Sequence, residues 1–145
     1  MTTNDPPSRG RGRPRRAEAD AEILDAALAM LRAGGYRELS LDEVARRAGT
    51  AKSSIYRRWP SKAALVAEIV RRESPPRNDP SASEAAVRAF EALMDGALGG
   101  AVASLIGEAQ ENGETRAIVI DLLAPYRQAG DAALGAILVR RLLGT

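Results

Sequence analysis

Apolar residues recur at helical spacing along most of the chain, and short stretches rich in glycine or proline separate the runs. The first run predicts a helix over residues 17–33 that ends at Gly34 and Gly35. Its apolar members are Ile23, Leu24, Ala27, Leu28 and Leu31. Asp20, Glu22 and Asp25 favour its first turns, because acidic side chains near a helix N-terminus complement the helix dipole. We expect this helix to brace the two that follow.

Two short helical patterns, joined by Gly49, occupy residues 39–65. Ser40 and Glu43 have the spacing of a capping box, which predicts the start of the first of these helices. Its apolar face consists of Leu41, Val44, Ala45 and Ala48. Gly49 is suited to a turn that requires a positive φ. The second helix is predicted from about Ala51 to Trp59.

The second helix has two different faces. At 100° per residue, Ile55 and Trp59 fall together on one side, and Ser53 and Arg57 fall on the opposite side. A short helix that buries a narrow apolar edge and exposes hydroxyls and cations suits a DNA major groove. The pattern therefore predicts a helix-turn-helix. Its candidate DNA-binding residues are Thr50, Lys52, Ser53, Ser54, Tyr56 and Arg57.

This stretch resembles the DNA-binding domain of the TetR family of bacterial transcriptional repressors. The resemblance covers about residues 21–72 and implies an all-α protein, in which a three-helix helix-turn-helix domain precedes a helical ligand-binding or regulatory domain. Family members usually add two further long helices that form the dimer, and this sequence ends at Thr145, where those helices would begin. We therefore expect residues 84–145 to be an incomplete regulatory domain, residues 17–73 the DNA-binding domain and residues 1–16 a disordered basic arm. The residues that carry the resemblance are Ala45, Gly49, Ser54-Ile55-Tyr56, Pro60-Ser61-Lys62-Ala63-Ala64-Leu65 and, upstream, Gly35-Tyr36.

Lys62 lies in the first turn of the next predicted helix, which Ser61 caps. A cation is disfavoured there by the helix dipole, and a bound phosphate would resolve the conflict by accepting hydrogen bonds from Lys62 and from free backbone N–H groups. The resemblance implies the same role, because Tyr56 and Lys62 match positions that typically contact phosphate. The alternative is that Lys62 is only solvated. Tyr36 is interpreted as a packing residue in preference to a DNA contact.

The N-terminal segment contains five arginines within eight residues and has no apolar periodicity. Its Arg-Gly-Arg-Pro sequence at residues 11–14 resembles the core of an AT-hook, in which an extended Arg-Gly-Arg lies in a narrow minor groove. We therefore interpret the segment as a second DNA contact. A solubilising or non-specifically adhesive tail is the alternative. The candidate residues are Arg11, Arg13, Arg15 and Arg16.

Residues 74–83 are rich in turn-forming residues and predict a domain boundary. Helical runs then resume, and the last one, from about Glu114 to Leu143, contains Pro125, which is expected to kink or divide it. Four large side chains of this half are candidates for an effector cavity, because repressors of the family bind small apolar or amphipathic compounds among these helices. They are Phe90, Met94, Leu105 and Tyr126. A plain helical core explains them equally well.

Composition and charge narrow the function classes. The chain has no cysteine and no histidine, so we expect no catalytic activity, no metal site and no cofactor. No apolar run approaches the roughly 18 residues of a membrane span, and the chain is expected to be cytoplasmic. Residues 1–74 hold 15 Lys or Arg against 10 Asp or Glu, and residues 75–145 hold 6 against 9. A basic first half beside an acidic second half indicates that a polyanion binds the first half only.

Two functions are consistent with these patterns. The first is a homodimeric repressor that binds a palindromic operator and is released from it by a small-molecule effector. The second is a monomeric or truncated DNA-binding or architectural protein without ligand control. Double-stranded DNA is the expected partner in both, and homodimerisation follows only from the resemblance.

Overall fold

The computed structural model describes residues 12–74 and 82–144, and the side chains of all but a few of them. All regular secondary structure in these two ranges is helical, which confirms the predicted all-α class. No single helix there is long and apolar enough to cross a membrane; Glu84–Asp95 and Gly99–Glu108 reach that length and apolarity only as a pair bent by 94°. The helices are α1 (Gly12–Glu38), α2 (Leu41–Arg47), α3 (Lys52–Arg58), α4 (Lys62–Glu73), α5 (Ala82–Asp95), α6 (Gly99–Glu108), α7 (Gly113–Leu123), a 3₁₀ helix (Ala124–Ala129) and α8 (Asp131–Leu143).

Helix α1 is longer at both ends than the sequence predicted. It begins at Gly12, five residues before the predicted Ala17. The arginines, alanines and glutamate that follow Pro14 favour a helix, and a proline in the first turn removes no intrahelical hydrogen bond. At Gly35 the backbone leaves the helical region, with φ 74° and ψ −173°, and a last helical turn reaches Glu38. The predicted stop at Gly34 and Gly35 is therefore a bend in the helix, made possible by the positive φ of Gly35, and one more helical turn follows it.

Side-chain caps set the starts of the short helices. The Ser40 hydroxyl accepts from the N–H of Glu43 at 3.5 Å, and that of Ser61 accepts from the N–H of Ala64 at 3.2 Å. Both caps were predicted. The Glu43 carboxylate accepts from Arg46 and Arg47 at 2.6–2.8 Å, in place of the reciprocal bond of a full capping box. Hydrogen bonds from a guanidinium to a carboxylate are stronger than one from a neutral backbone N–H. They lower the pKa of Glu43 to about 2.

The predicted last helical run is divided in two at Pro125. Helix α7 ends at Leu123, the 3₁₀ helix carries Pro125 in its first turn, and α8 begins at Asp131. Pro125 lacks the N–H that would continue the α-helical ladder, and the tighter 3₁₀ turns accommodate it.

One hydrophobic core runs through both halves of the chain. Helix α1 packs against α6, and α4 packs against both α6 and α7. Ile69 of α4 and Leu105 of α6 are both fully buried in this core. Arg71 of α4 pairs with Asp121 of α7 at 2.6 Å across the same contact. Most of the predicted boundary, residues 75–81, lies outside the described residues, but the helices on either side of it belong to one packed unit.

Candidate nucleic-acid interface

The turn between α2 and α3 is built by Gly49. Its φ of 62° lies in the left-handed region, as the sequence predicted, and a side chain there would be strained. The N–H of Gly49 donates to the carbonyl of Arg46 at 3.3 Å, and that of Thr50 donates to the carbonyl of Ala45 at 3.0 Å. These bonds close the end of α2 and direct the chain into α3. Thr50 is half-buried and lies two residues before α3, the helix predicted to enter the major groove and called the recognition helix below.

Helix α3 is held by one apolar edge. Ile55 is completely buried and Trp59 is 9% exposed, whereas Ser53 and Arg57 on the opposite side are exposed. This division is the one that the helical periodicity predicted. Burying those two side chains keeps the short helix in place, since seven residues form no stable helix alone. The hydroxyl and guanidinium groups on its outer side are exposed to solvent, where another molecule can contact them.

Local contacts hold the exposed cations of α3 in defined positions. Lys52 pairs with Asp42 of α2 at 2.7 Å, a hydrogen bond that raises the pKa of Lys52, and its Nζ lies 5.7 Å from the centre of the Tyr56 ring. Arg57 donates to the Ser54 hydroxyl at 3.2 Å. Exposed ion pairs of this kind contribute little to stability, so a phosphate or a base can displace the carboxylate. No spacing in the sequence indicated that Asp42 would lie beside Lys52.

Arg58 was not among the predicted site residues, and the structure gives it a bracing role. It forms an ion pair with Asp20 of α1 and donates to the carbonyl of Ser54 at 3.2 Å. Its side chain is 23% exposed. The pair ties the end of α3 to α1. Only the presence of an acid near the start of α1 and a cation near the end of α3 signalled this contact in the sequence.

Lys62 lies at the start of α4, with its Nζ 4.4 Å from the centre of the Tyr36 ring. Burial lowers the pKa of Lys62, while the charges of Glu108 and Glu38 act in the opposite direction. The Tyr36 hydroxyl donates to Glu108 Oε2 at 2.6 Å. Tyr36 is half-buried and packs against the core, in agreement with its predicted packing role. A cation above an aromatic face and beside free N–H groups is suited to an anion.

The structure changes the interpretation of the arginine arm. The backbone from Gly12 to Pro14 is helical, whereas an AT-hook core is extended. Arg15 and Arg16 are exposed on the first turns of α1. Arg11 lies outside the described residues, and so does the side chain of Arg13. DNA contact by these arginines stays a prediction. Arg15 and Arg16 would make it from the first turns of α1.

The four candidates for an effector cavity are core residues. Phe90, Met94 and Leu105 are completely buried, and Tyr126 is 5% exposed. The rings of Phe90 and Tyr126 lie 5.5 Å apart, and the Tyr126 hydroxyl donates to the carbonyl of Ser74 at 3.4 Å. Burial raises the pKa of Tyr126. This packing is that of a plain helical core, which was the alternative to an effector cavity. A ligand role for the four residues stays a prediction.

An open cleft of about 460 Å³ lies elsewhere, between α3 and α4 on one side and α7 on the other. Its walls are mixed: four of the lining side chains are apolar, and the ion pair between Arg71 and Asp121 lies beside them. Within residues 12–74 and 82–144, no three His, Cys, Asp or Glu side chains are grouped so that they could hold a metal ion. The lining includes Arg58, Trp59, Glu68, Arg71, Ile118 and Asp121.

Comparison with known proteins gives matches to the helix-turn-helix part. Residues 23–69 match the family model described as "Bacterial regulatory proteins, tetR family". An HTH-type transcriptional regulator of Mycobacterium tuberculosis is 47% identical over 47 residues, which are 32% of this chain and 23% of the relative. The HTH-type transcriptional regulator YdeS of Bacillus subtilis is 39% identical over 56 residues, 39% of this chain and 28% of the relative. The aligned residues thus span about a quarter of these curated relatives.

A solved structure from Mesorhizobium loti, described as a TetR-family transcriptional regulator, aligns with 90% of this chain and 70% of its own. The two chains are 22% identical, with a TM-score of 0.49.

Proposed function

Because its helix-turn-helix domain makes this chain a member of the TetR family of bacterial regulatory proteins, we propose that it is a sequence-specific repressor of transcription. It acts in the cytoplasm as a homodimer on a palindromic operator, and a small-molecule effector releases it from the DNA. Four features support this function: the exposed face of α3, the cations beside it, the outer face of α8 and the packing between the two halves of the chain.

The observation that carries the proposal is the division of α3 into a buried edge and an exposed face. Ile55 and Trp59 seat the helix, and Ser53 and Arg57 project from its other side. Arginine is the side chain that most often reads guanine in a major groove, through two parallel hydrogen bonds. We therefore assign base contact to Ser53 and Arg57, with Thr50, Lys52 and Ser54 beside them.

The neighbouring cations suit contact with the DNA backbone. Tyr56 is 42% exposed beside Lys52, and Lys62 stands at the capped N-terminus of α4. Arg15 and Arg16 are exposed on the start of α1. Contacts to phosphate carry no sequence information but fix the register of the protein on the duplex. We assign this role to Tyr56, Lys62, Arg15 and Arg16.

The outer face of α8 supports self-association. Four exposed alanine, valine or leucine side chains lie at successive spacings of four, three and four residues, which places them along one side of the helix. Val139 is 54% exposed and Leu143 is 71% exposed. A two-fold dimer brings the same patch of each copy together and sets two recognition helices at a fixed spacing. The stripe consists of Ala132, Ala136, Val139 and Leu143.

Effector control is proposed from the packing between the two halves. Helices α1 and α4 of the DNA-binding domain rest on α6 and α7. A compound that enters among α5 to α8, next to Phe90, Met94, Leu105 or Tyr126, has to separate these helices. Such a ligand releases the operator only if it binds more tightly to the arrangement in which the recognition helices no longer fit the two half-sites.

Selection of binding sites from a random duplex library, with the full chain, tests the proposal. We expect enrichment of a palindrome whose half-sites lie about one helical turn apart, roughly 34–36 Å. Light scattering of the free chain, at the concentrations used for selection, should give the mass of a dimer. Enrichment of single half-sites together with a monomer mass would favour the architectural alternative. Absence of any enrichment would exclude sequence-specific recognition.

A further inference from the structure

We propose that Glu108, at the end of α6, is a positioning residue for DNA binding that acts through Tyr36 on Lys62. The proposal rests on the phosphate contact assigned to Lys62 above. It gives a residue of the C-terminal half, outside the helix-turn-helix, a defined effect on a DNA-contacting side chain.

The carboxylate of Glu108 is fixed by two donors from different parts of the chain. Tyr36 of α1 donates to Oε2 at 2.6 Å, and Thr115 of α7 donates to Oε1 at 2.8 Å. Thr115 is only 2% exposed, and Asn112 caps the turn from which it projects. Both oxygens are thereby engaged, so Glu108 links α6 and α7 rigidly to the phenol of Tyr36.

The Tyr36 ring passes this constraint to Lys62. The ammonium of Lys62 lies 4.4 Å from the ring centre, within the range of a cation–π contact. Donation of the phenol O–H to a carboxylate polarises the ring, which makes its face more attractive to a cation. It also prevents the ring from turning away. The negative charge of Glu108 favours the charged form of Lys62, whose pKa burial would otherwise lower further.

A lysine held in this way is ready to meet phosphate. A free lysine side chain samples many rotamers, and part of this entropy is lost whenever it binds an anion. The contact with Tyr36 restricts Lys62 beforehand, beside the N–H groups at the start of α4. Movement of α6 relative to α1 would therefore affect a DNA-contacting side chain without displacing α3.

The test compares Glu108→Gln with Glu111→Gln. Glu111 is exposed three residues further along, so both variants lose one negative charge but only the first disturbs Tyr36. Affinity for a labelled mixed-sequence duplex is measured at several salt concentrations, below the melting temperature of every variant. We expect Glu108→Gln to bind about two- to five-fold more weakly than Glu111→Gln, the range of an exposed cation–π contact. Equal or tighter binding by Glu108→Gln would overturn the proposal.

A second background separates positioning from a general structural effect. In Lys62→Met the difference between the two glutamine variants should vanish, because the side chain through which Glu108 acts is gone. A difference that persists in Lys62→Met would overturn the proposal while leaving the DNA-binding function intact. Failure of the unmodified chain to bind the duplex at low salt would overturn both.

Tyr36→Phe keeps the ring and its packing but removes the donor, so it covers the case in which Glu108→Gln folds poorly. We expect it to weaken DNA binding to a similar degree, and the double variant with Glu108→Gln to be no weaker than either alone. In the free protein, nuclear magnetic resonance should show the ε-methylene protons of Lys62 shifted upfield by the ring, and less so in Glu108→Gln. An additive double variant, or Lys62 protons without a ring shift, would overturn the proposal.

Discussion

Replacement of Trp59 by alanine tests how α3 is held. Trp59 caps the C-terminus of α3, where its backbone N–H donates to the carbonyl of Ile55 at 2.9 Å, and alanine retains this bond. The side chain is only 9% exposed and belongs to the hydrophobic core. The substitution therefore removes packing and little else. We expect α3 to lose its anchor, and DNA affinity to fall together with stability.

The structure sets the size of the expected effect. A tryptophan side chain buries about 150–250 Å², which at about 25 cal/mol per Å² corresponds to roughly 4–6 kcal/mol. Alanine keeps part of this area. Trp59 also borders the open cleft, so water can enter the vacated space and no sealed cavity remains. We therefore expect a loss of about 3–4 kcal/mol in the free energy of unfolding, in the lower part of the range for aromatic-to-alanine changes.

Urea unfolding followed by circular dichroism measures this loss, since the variant lacks the only tryptophan of the chain. Ile55→Val is the matched control: it removes one methyl group from the same buried edge and should cost about 0.5–1.5 kcal/mol. An unchanged unfolding midpoint with loss of DNA binding would refute the reasoning, because it would place Trp59 on the DNA-facing surface.

Three further predictions concern the DNA contacts and the pH dependence of stability. Arg57→Ala should cost about 1–3 kcal/mol in operator affinity and relax the preference at one base pair of each half-site; Arg88→Ala, an exposed arginine of α5, is the control, and equal loss on random DNA would make Arg57 a phosphate contact. If Arg15 and Arg16 both neutralise phosphates, their joint change to glutamine should reduce the salt slope of binding by about 1.8 per chain, whereas parallel log–log plots would mean that neither touches DNA. The pKa of Tyr36 is raised above its ordinary value of 10.0, first by burial and then by its hydrogen bond to a carboxylate. Its neutral phenol therefore stabilises the fold below pH 10.0, and this contribution is lost as the pH rises through the higher folded value. Above pH 10.0 the denaturant midpoint should fall less steeply with pH in Tyr36→Phe than in the unmodified chain. Identical plots of midpoint against pH for the two proteins would contradict the raised pKa of Tyr36.

The sequence alone determined the features that depend on near neighbours in the chain. The caps at Ser40 and Ser61, the positive φ of Gly49 and the buried edge of α3 follow from residue types at spacings of three or four. The division of the last run at Pro125 follows from a missing N–H. These features place the helix-turn-helix and its exposed face without knowledge of how the helices pack. The start of α1 was misjudged, because the arginines of the arm were interpreted as charge and their helix propensity was not considered.

Only the tertiary structure decided which distant side chains meet. Arg58 pairs with Asp20 because α1 crosses the end of α3, and Tyr36 reaches Glu108 across a separation of 72 residues because α1 packs on α6. No periodicity encodes such pairs, since they depend on the angles and distances at which separate helices come together. For the same reason the sequence left open whether the candidates for an effector cavity, among them Phe90, were core or ligand contacts. Their burial depends on how closely α5, α6 and the 3₁₀ helix approach one another, and that is a property of the packed fold.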